Sequence, residues 1–297
     1  MKLIKPSYQI IEPTGYTIDD IYKSIELAGR VSHRSEDRIT EDSAKTFVER
    51  MMNMKHLSTC EFGTIYLHID YHNPSFGKII DKYSSNEYSK CIVFPNEVCI
   101  SSNYRVLVEN NWLNDLKYLC EPTEYHHKRY TVKFICDRAI LAEFTRHRKF
   151  SFMAESTRYC NYSKGKFNSE LTFIIPCWMD IPEGSIDLGN YDKTSARYKD
   201  GNIYIIDTKP PYVGVDFIRS LCEAEANYLS IVRNGWKPQE ARAVLPNSLK
   251  TELVMTGFAS DWKYFFELRC DSAAHPQARE LAIPLKEEFI KKDYIIE

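Results

Sequence analysis

Long apolar runs are missing from the 297 residues: none approaches the ~20 needed to span a bilayer. The opening MKLIKPSYQIIEPTG also lacks the apolar block and small residues of a secretory leader. An excess of charge of one sign is missing too. Thirty-nine Lys and Arg face 41 Asp and Glu, for a formal −2, which excludes the broad positive field of non-specific nucleic-acid binders and makes any anion site local. Glycine (11) and proline (13) are too sparse for a fibrous or low-complexity chain. The nine cysteines are odd in number, scattered and without a CxxC pair, so neither a disulfide framework nor a zinc ribbon is indicated. There is no GxGxxG and no Walker loop, hence no case for a Rossmann or P-loop nucleotide site. What remains, 43% hydrophobic and 27% charged, is the composition of a globular protein able to bury a sizeable core. The expectation is a cytoplasmic chain with reduced thiols, no metal, and neither nucleic acid nor membrane as partner.

Helical and strand periods alternate along the chain. Thr17 with Asp20 forms a capping-box pattern ahead of Ile21, Ile25 and Ala28, which share one helical face. A second helix starts near Asp42 or Ser43, with Phe47, Val48, Met51 and Met52 as its stripe. Thr64 to Asp70 alternates as a half-buried strand, Tyr104 to Val108 fits a strand and Trp112 to Leu119 a helix. Thr131 to Cys136 reads as strand, and a helix with Ile140, Leu141 and Phe144 runs into Arg146-His147-Arg148. Asp200-Gly201 marks a hairpin, Val215 to Asn234 a long helix stopped by Gly235, and Pro238 a short helix start. Lys250 to Met255 fits a strand. Ser260 fits the cap of a helix carrying Trp262, Phe265 and Phe266, and His275-Pro276 opens another with Leu281 and Leu285 inward. With no repeat or flexible linker, this predicts one α+β domain over 1–297, with insertions at about 71–128 and 163–213.

Chemistry concentrates in Glu143 to Tyr159, where three arginines, a histidine, a lysine and several hydroxyls fall within 17 residues. Guanidinium forks match phosphate oxygens bidentately, so the cluster suits a nucleotide or phosphorylated cofactor. The plainer reading is a solvated helix end complementing the helix dipole. Against it stand the interleaved Phe144, Phe150, Phe152 and Tyr159, which favour burial and hence anionic partners for the arginines.

Arg146-His147-Arg148, seven further residues, then Ser156 and Arg158-Tyr159 resembles the signature of the flavin-dependent thymidylate synthase family. Ala28-Gly29-Arg30-Val31-Ser32, His56-Leu57-Ser58-Thr59-Cys60-Glu61, Ala241 to Pro246 and Phe266-Glu267-Leu268-Arg269, followed by His275 to Glu280, are similar to further segments of that family in the same order. The resemblance implies an α+β fold of mostly antiparallel sheet flanked by helices. It implies synthesis of dTMP from dUMP with 5,10-methylenetetrahydrofolate as carbon donor, FAD as redox carrier and NADPH as reductant, in a homotetramer with shared active sites. By residue matching, Ser32, His56, Ser58, Glu61, Arg146, His147, Arg148 and His275 would contact FAD. Glu143, Arg146, Glu155, Ser156, Thr157, Arg158, Arg242 and Arg269 would surround dUMP, with Arg269 the catalytic group.

These roles suit the side chains. A fixed cation beside a uracil ring stabilises charge developing on its N3/O4 edge when C5 attacks a one-carbon electrophile, and Arg269 matches that task. The permanent charges of Arg158 and Arg242 suit a phosphate. Taken singly, His56 and His275 read equally as structural histidines, Ser32 and Ser58 as turn residues, and Glu61 as the partner of a neighbouring base. Met153 and Ala154 stand where the family carries Asn-Glu, and Phe258, Ser260 and Tyr264 where it often has polar residues, so no contact is assigned to them. Pro176-Cys177 resembles the nucleophile segment of the unrelated, cysteine-dependent thymidylate synthases, but Trp178-Met179 follow, and Cys177 is read as structural. The alternative is a non-catalytic nucleotide sensor that uses the same arginine cluster.

Overall fold

The computed structural model describes residues 1–187 and 194–295. Its ladders are laid on β12 (Lys250–Phe258), whose nine residues are all buried. One side of β12 pairs antiparallel with β6 (Arg129–Asp137), from Lys250 opposite Asp137 to Phe258 opposite Arg129. The other side takes the short β7 (Ser151–Ala154), and β2 (Ser7–Ile11) closes the far edge, giving the order β2-β6-β12-β7.

Two further sheets stand beside this one among the described residues. β3 (Thr64–Asp70), β5 (Glu97–Asn103) and β4 (Lys90–Val93) form an antiparallel sheet with β5 central. β1 (Lys2–Ile4) lies between β8 (Thr172–Ile174), to which it is parallel, and β9 (Gly184–Asp187), and β10 (Ser195–Tyr198) and β11 (Ile203–Ile205) continue outward. The turn at Asp200-Gly201 is closed by Tyr198 N–H donating to Asn202 O at 2.8 Å. The fold is therefore α+β with mostly antiparallel pairing, divided among three sheets.

Helix α1 (Ile18–Val31) opens with the predicted box, Thr17 and Asp20 exchanging bonds, and packs on α2 (Ser43–Asn53). A Cβ on Gly29 would lie 2.6 Å from the Phe47 ring, so only glycine permits this approach. Helices α3 (Phe76–Ser84) and α4 (Tyr104–Glu109) border the β3-β5-β4 sheet. The second of these corrects a strand expectation: Asn103 accepts from Val106 N–H at 3.2 Å, and that cap turns the chain into a helix despite its aromatic and β-branched residues. Trp112 to Leu119 contains a 3₁₀ turn over Leu113–Tyr118. The predicted long helix is α6 (Val213–Arg233), Gly235 past its end has φ +100°, and α7 (Pro238–Ala241) follows.

Helices α5 (Arg138–Phe144), α8 (Ala259–Arg269) and α9 (Pro276–Lys291) enclose the main core, where Phe134, Phe144, Trp262, Phe265, Phe266 and Phe289 interlock edge to face. Each such ring contributes roughly 1.5–3 kcal/mol by burial. Ser260 is not the cap of α8. Asp261 accepts from Phe258 N–H instead, and Ser260 Oγ accepts from Lys90. Phe265 and Phe266 anchor α8 and so fix Arg269 in its last turn. No helix among the described residues is long and apolar enough to cross a membrane.

Candidate active site

Asp137 caps α5 through Ile140 N–H, and the helix ends at Phe144, one residue before the Thr145 that precedes the Arg-His-Arg run. That run consequently leaves the helix as a turn, and its three side chains diverge. Arg146 is exposed and lines an open cleft of about 550 Å³ with Glu143, Arg269, Ala273, Ala274 and His275. His147 points inward, 7% exposed, against Phe265 and Phe150. Arg148 is exposed and lines neither this cleft nor the wider one described below.

Arg269 joins these elements. Its Nε donates to His147 Nε2 at 2.9 Å, its Nη1 to the Glu143 carboxylate at 2.9 Å, and its Nη2 to the Glu143 carbonyl at 2.7 Å. An accepting Nε2 requires the His147 proton on Nδ1. Burial first, and the Arg269 charge second, push the His147 pKa down to about 4, so the ring stays neutral beneath a permanent cation. His275 caps α9, accepting from Gln277 N–H at 3.3 Å, and stands at the cleft rim edge-on to Trp178.

A second, larger cleft of about 890 Å³ takes Ser32, His56 and Ser58. Ser32 follows the end of α1, and its carbonyl accepts from Ser156 N–H at 3.0 Å, which draws the signature serine to the same place. Tyr159 lines this cleft, stacked on His33 at 4.3 Å between ring centres. Arg158 lies over the Tyr159 ring and donates to Gln239, and Arg242 donates to Thr157 at 3.4 Å. Ser156 therefore stands beside Ser32, with Arg158 and the Thr157–Arg242 pair next to it, although none of these four lines the cleft. Among the described residues, no hydrogen bond or ion pair links this group to Glu143, Arg146, His147, Arg269 and His275.

Two predicted contact residues are engaged elsewhere. Glu61 holds Arg105, which also binds Glu109. Glu155 is 3% exposed and accepts from Lys250 at 2.8 Å, Arg34 at 3.4 Å and the Tyr162 hydroxyl at 2.9 Å. Beside it, Glu252 pairs with Lys250, Lys133 and Arg34. Burial alone would raise the Glu252 pKa, but Lys250, Lys133 and Arg34 outweigh it and hold the carboxyl down at about 2. This buried network ties β7 to β12 and β6.

The wider cleft also carries Arg38, Arg50 and Lys55, for which no ion pair exists among the described residues. The sequence offered little sign of them, since Arg50 and Lys55 merely bracket Met51 and Met54. Burial, then the charges of Arg50, Arg38 and His56, push the pKa of His33 down. Unpaired cations, serine hydroxyls and imidazoles around a cleft of this size form a donor set that fits the phosphates of a nucleotide. Cys177 is exposed, with its thiol pKa pushed up by burial and by Glu280, the reverse of an activated nucleophile.

A family model described as thymidylate synthase complementing protein matches residues 83–293. Among curated proteins, the flavin-dependent thymidylate synthase of Synechocystis sp. is 24% identical over 161 residues, 54% of this chain and 66% of that one. The flavin-dependent thymidylate synthase of Pyrococcus furiosus is 26% identical over 160 residues, 54% of this chain and 53% of that one. The match thus spans about half to two thirds of the length of these relatives. The solved UMP/dUMP methylase PolB from Streptomyces cacaoi, bound with 5-Br dUMP, aligns over 98% of this chain and 93% of its own at 17% identity and a TM-score of 0.43.

Proposed function

This chain belongs to the thymidylate synthase complementing protein family, and from that premise we propose that it is a flavin-dependent thymidylate synthase. In this reading all 297 residues form one cytoplasmic catalytic unit, which methylates dUMP reductively to dTMP using 5,10-methylenetetrahydrofolate and NADPH. The observation that carries the reading is the clamped guanidinium of Arg269. Held by His147 and by Glu143, which lines the same cleft, it is a guanidinium fixed in the wall of a polar cleft. A neutral His147 matters here, because a protonated ring would repel that guanidinium and could not accept its bond.

Against the N3/O4 edge of uracil, Arg269 stabilises the negative charge that builds as C5 attacks the one-carbon electrophile. Arg158 and Arg242, oriented by Gln239 and Thr157, take the phosphate of dUMP. The wider cleft, with Ser32, His56, Ser58 and the free cations Arg38 and Arg50, fits FAD, which supplies the reducing equivalents when bound. The division of these residues between two clefts supports a homotetramer, with the Arg269 cleft of one subunit completing the Ser32 cleft of another.

The test is the visible spectrum of the purified protein before and after FAD and then dUMP, followed by a turnover assay. Flavin bands that shift with dUMP, and dTMP formed from all four components, are expected. A protein that takes up no flavin when FAD is supplied would leave a nucleotide grip without redox chemistry.

A further inference from the structure

A third cavity, of about 300 Å³, opens between α1 and strands β2, β3 and β6, and none of the candidate residues lines it. Its apolar wall comes from Leu27, Phe62 and Val254. Four tyrosines, Tyr16, Tyr66, Tyr130 and Tyr294, supply aromatic faces and edges, with Tyr16 edge-on to Tyr66 and Tyr130 stacked on Tyr294. Its charged lining is Lys128, Arg129 and Lys292, with the carboxylates Glu12 and Asp293.

Arg129 is the unusual member. It is partly buried, and its Nη1 donates only to neutral oxygens, the Glu61 carbonyl at 3.1 Å and Thr64 Oγ1 at 3.3 Å. Among the described residues it has no ion pair. Of the nearby carboxylates, Glu61 pairs with Arg105, and Asp261, which accepts from the Phe258 N–H, makes no ion pair with Arg129. Glu12, on the cavity wall, is neutralised by Lys292 at 3.0 Å and bonded by the Tyr294 hydroxyl. A poorly solvated guanidinium without a counter-anion is costly, and a bound anion removes that cost.

Phenol donors are also uncommitted. The Tyr66 hydroxyl accepts from Arg129 N–H at 2.9 Å, yet its own proton has no acceptor among the described residues. The Tyr16 and Tyr130 hydroxyls make no hydrogen bond among the described residues. Beyond the Glu12–Lys292 pair and Asp293, the cations Lys128 and Arg129 and three O–H donors without acceptors among the described residues share the wall with four aromatic rings, a polar end beside a planar, apolar body. At 300 Å³ the space stands at the small end of ligand pockets, ~300–1,000 Å³, and suits a single ring.

We propose that this cavity binds a small aromatic carboxylate, with the carboxylate on Arg129 and the phenols and the ring among the tyrosines. The site is separate from the synthase reading, because none of that reading's residues lines it.

Calorimetric titration of the full chain with benzoate, its neutral isostere benzamide, and inorganic phosphate tests it. One benzoate per chain is expected with a dissociation constant below ~1 mM, benzamide at least ~10-fold weaker, and no displacement by phosphate. Tyr16→Phe with Tyr130→Phe removes only two hydroxyls and should weaken benzoate several-fold, and benzamide, a weaker acceptor, by less. Arg129→Gln should abolish the preference for the anion. Should that variant fail to fold, because it loses the bonds to Glu61 and Thr64, the tyrosine pair still decides. Equal affinity for benzoate and benzamide, benzoate binding indifferent to both tyrosine changes, or no benzoate heat at millimolar concentration would each overturn the proposal.

Discussion

Arg269→Ala separates the structural from the chemical part of the candidate site. The substitution deletes three donated bonds, to His147 Nε2, the Glu143 carboxylate and the Glu143 carbonyl. Hydrogen bonds to charged groups are worth ~1.5–3 kcal/mol, but Glu143 is 30% exposed and regains water when its partner leaves. The net loss of stability should therefore be about 1–2 kcal/mol, a fall in Tm of about 2–3 °C for a chain of 297 residues. The helix itself stays, because Trp262, Phe265 and Phe266 remain packed in the core. Turnover should suffer far more. Removing a preorganised group that meets developing charge costs about 10²–10³ in kcat, or ~2.7–4 kcal/mol. Arg269→Lys keeps the charge but not the fork that reaches His147 and Glu143 together, and should fall between alanine and the parent. The assay is dTMP formation from dUMP with saturating folate, NADPH and FAD, alongside flavin absorbance and a thermal melt of each variant. Wild-type turnover in a folded, flavin-loaded Arg269→Ala protein would refute the role assigned here.

Three other outcomes follow from the same geometry. His147, depressed to about 4 from an ordinary 6.5, contributes stability that is complete above pH 6.5 and lost as pH falls toward 4, because the unfolded chain takes up the proton first. That slope is worth up to ~3 kcal/mol, and chemical denaturation at stepped pH should find it flattened in His147→Gln, whose amide oxygen can still accept from Arg269. Lys250→Met leaves Glu155 and Glu252 buried with fewer cations, and should destabilise by about 3–5 kcal/mol in a denaturant melt at neutral pH. Cys177→Ala should retain turnover largely intact. Abolished activity in a folded Cys177→Ala protein would instead bring the cysteine-dependent mechanism back.

Elements whose formation is decided within a few residues were legible before the fold was known. The Thr17–Asp20 box, the alternation over Thr64 to Asp70 and the apolar stripe of α6 each carry a local cause, and each stands in the structure. Where local signals competed, the cap prevailed over propensity: Asn103 makes Tyr104 to Glu109 a helix, although its valines and tyrosine suit a strand. Strand β7 carried no usable alternation in Ser-Phe-Met-Ala. It exists because β12 offers it a paired edge from Leu253 to Thr256, information held a hundred residues downstream.

The candidate site divides along the same line. Which side chains are candidates for chemistry was readable from their type and order; which of them meet was not, because the meetings are set by long-range backbone contacts. Ser32 and Ser156 come together through one N–H to carbonyl bond between a helix end and a loop. His147 turns inward because α5 stops at Phe144, so a residue flanked by two arginines becomes the buried acceptor beneath a third. Glu155, beside the signature serine, is drawn into the ion network by the register of β12, which sets Lys250 and Glu252 on the same face two residues apart. A motif read as one continuous ligand-binding strip thus folds into an outward guanidinium, an inward imidazole and a structural carboxylate. The chemistry assigned to the strip rests on Arg269, which the sequence places more than a hundred residues away.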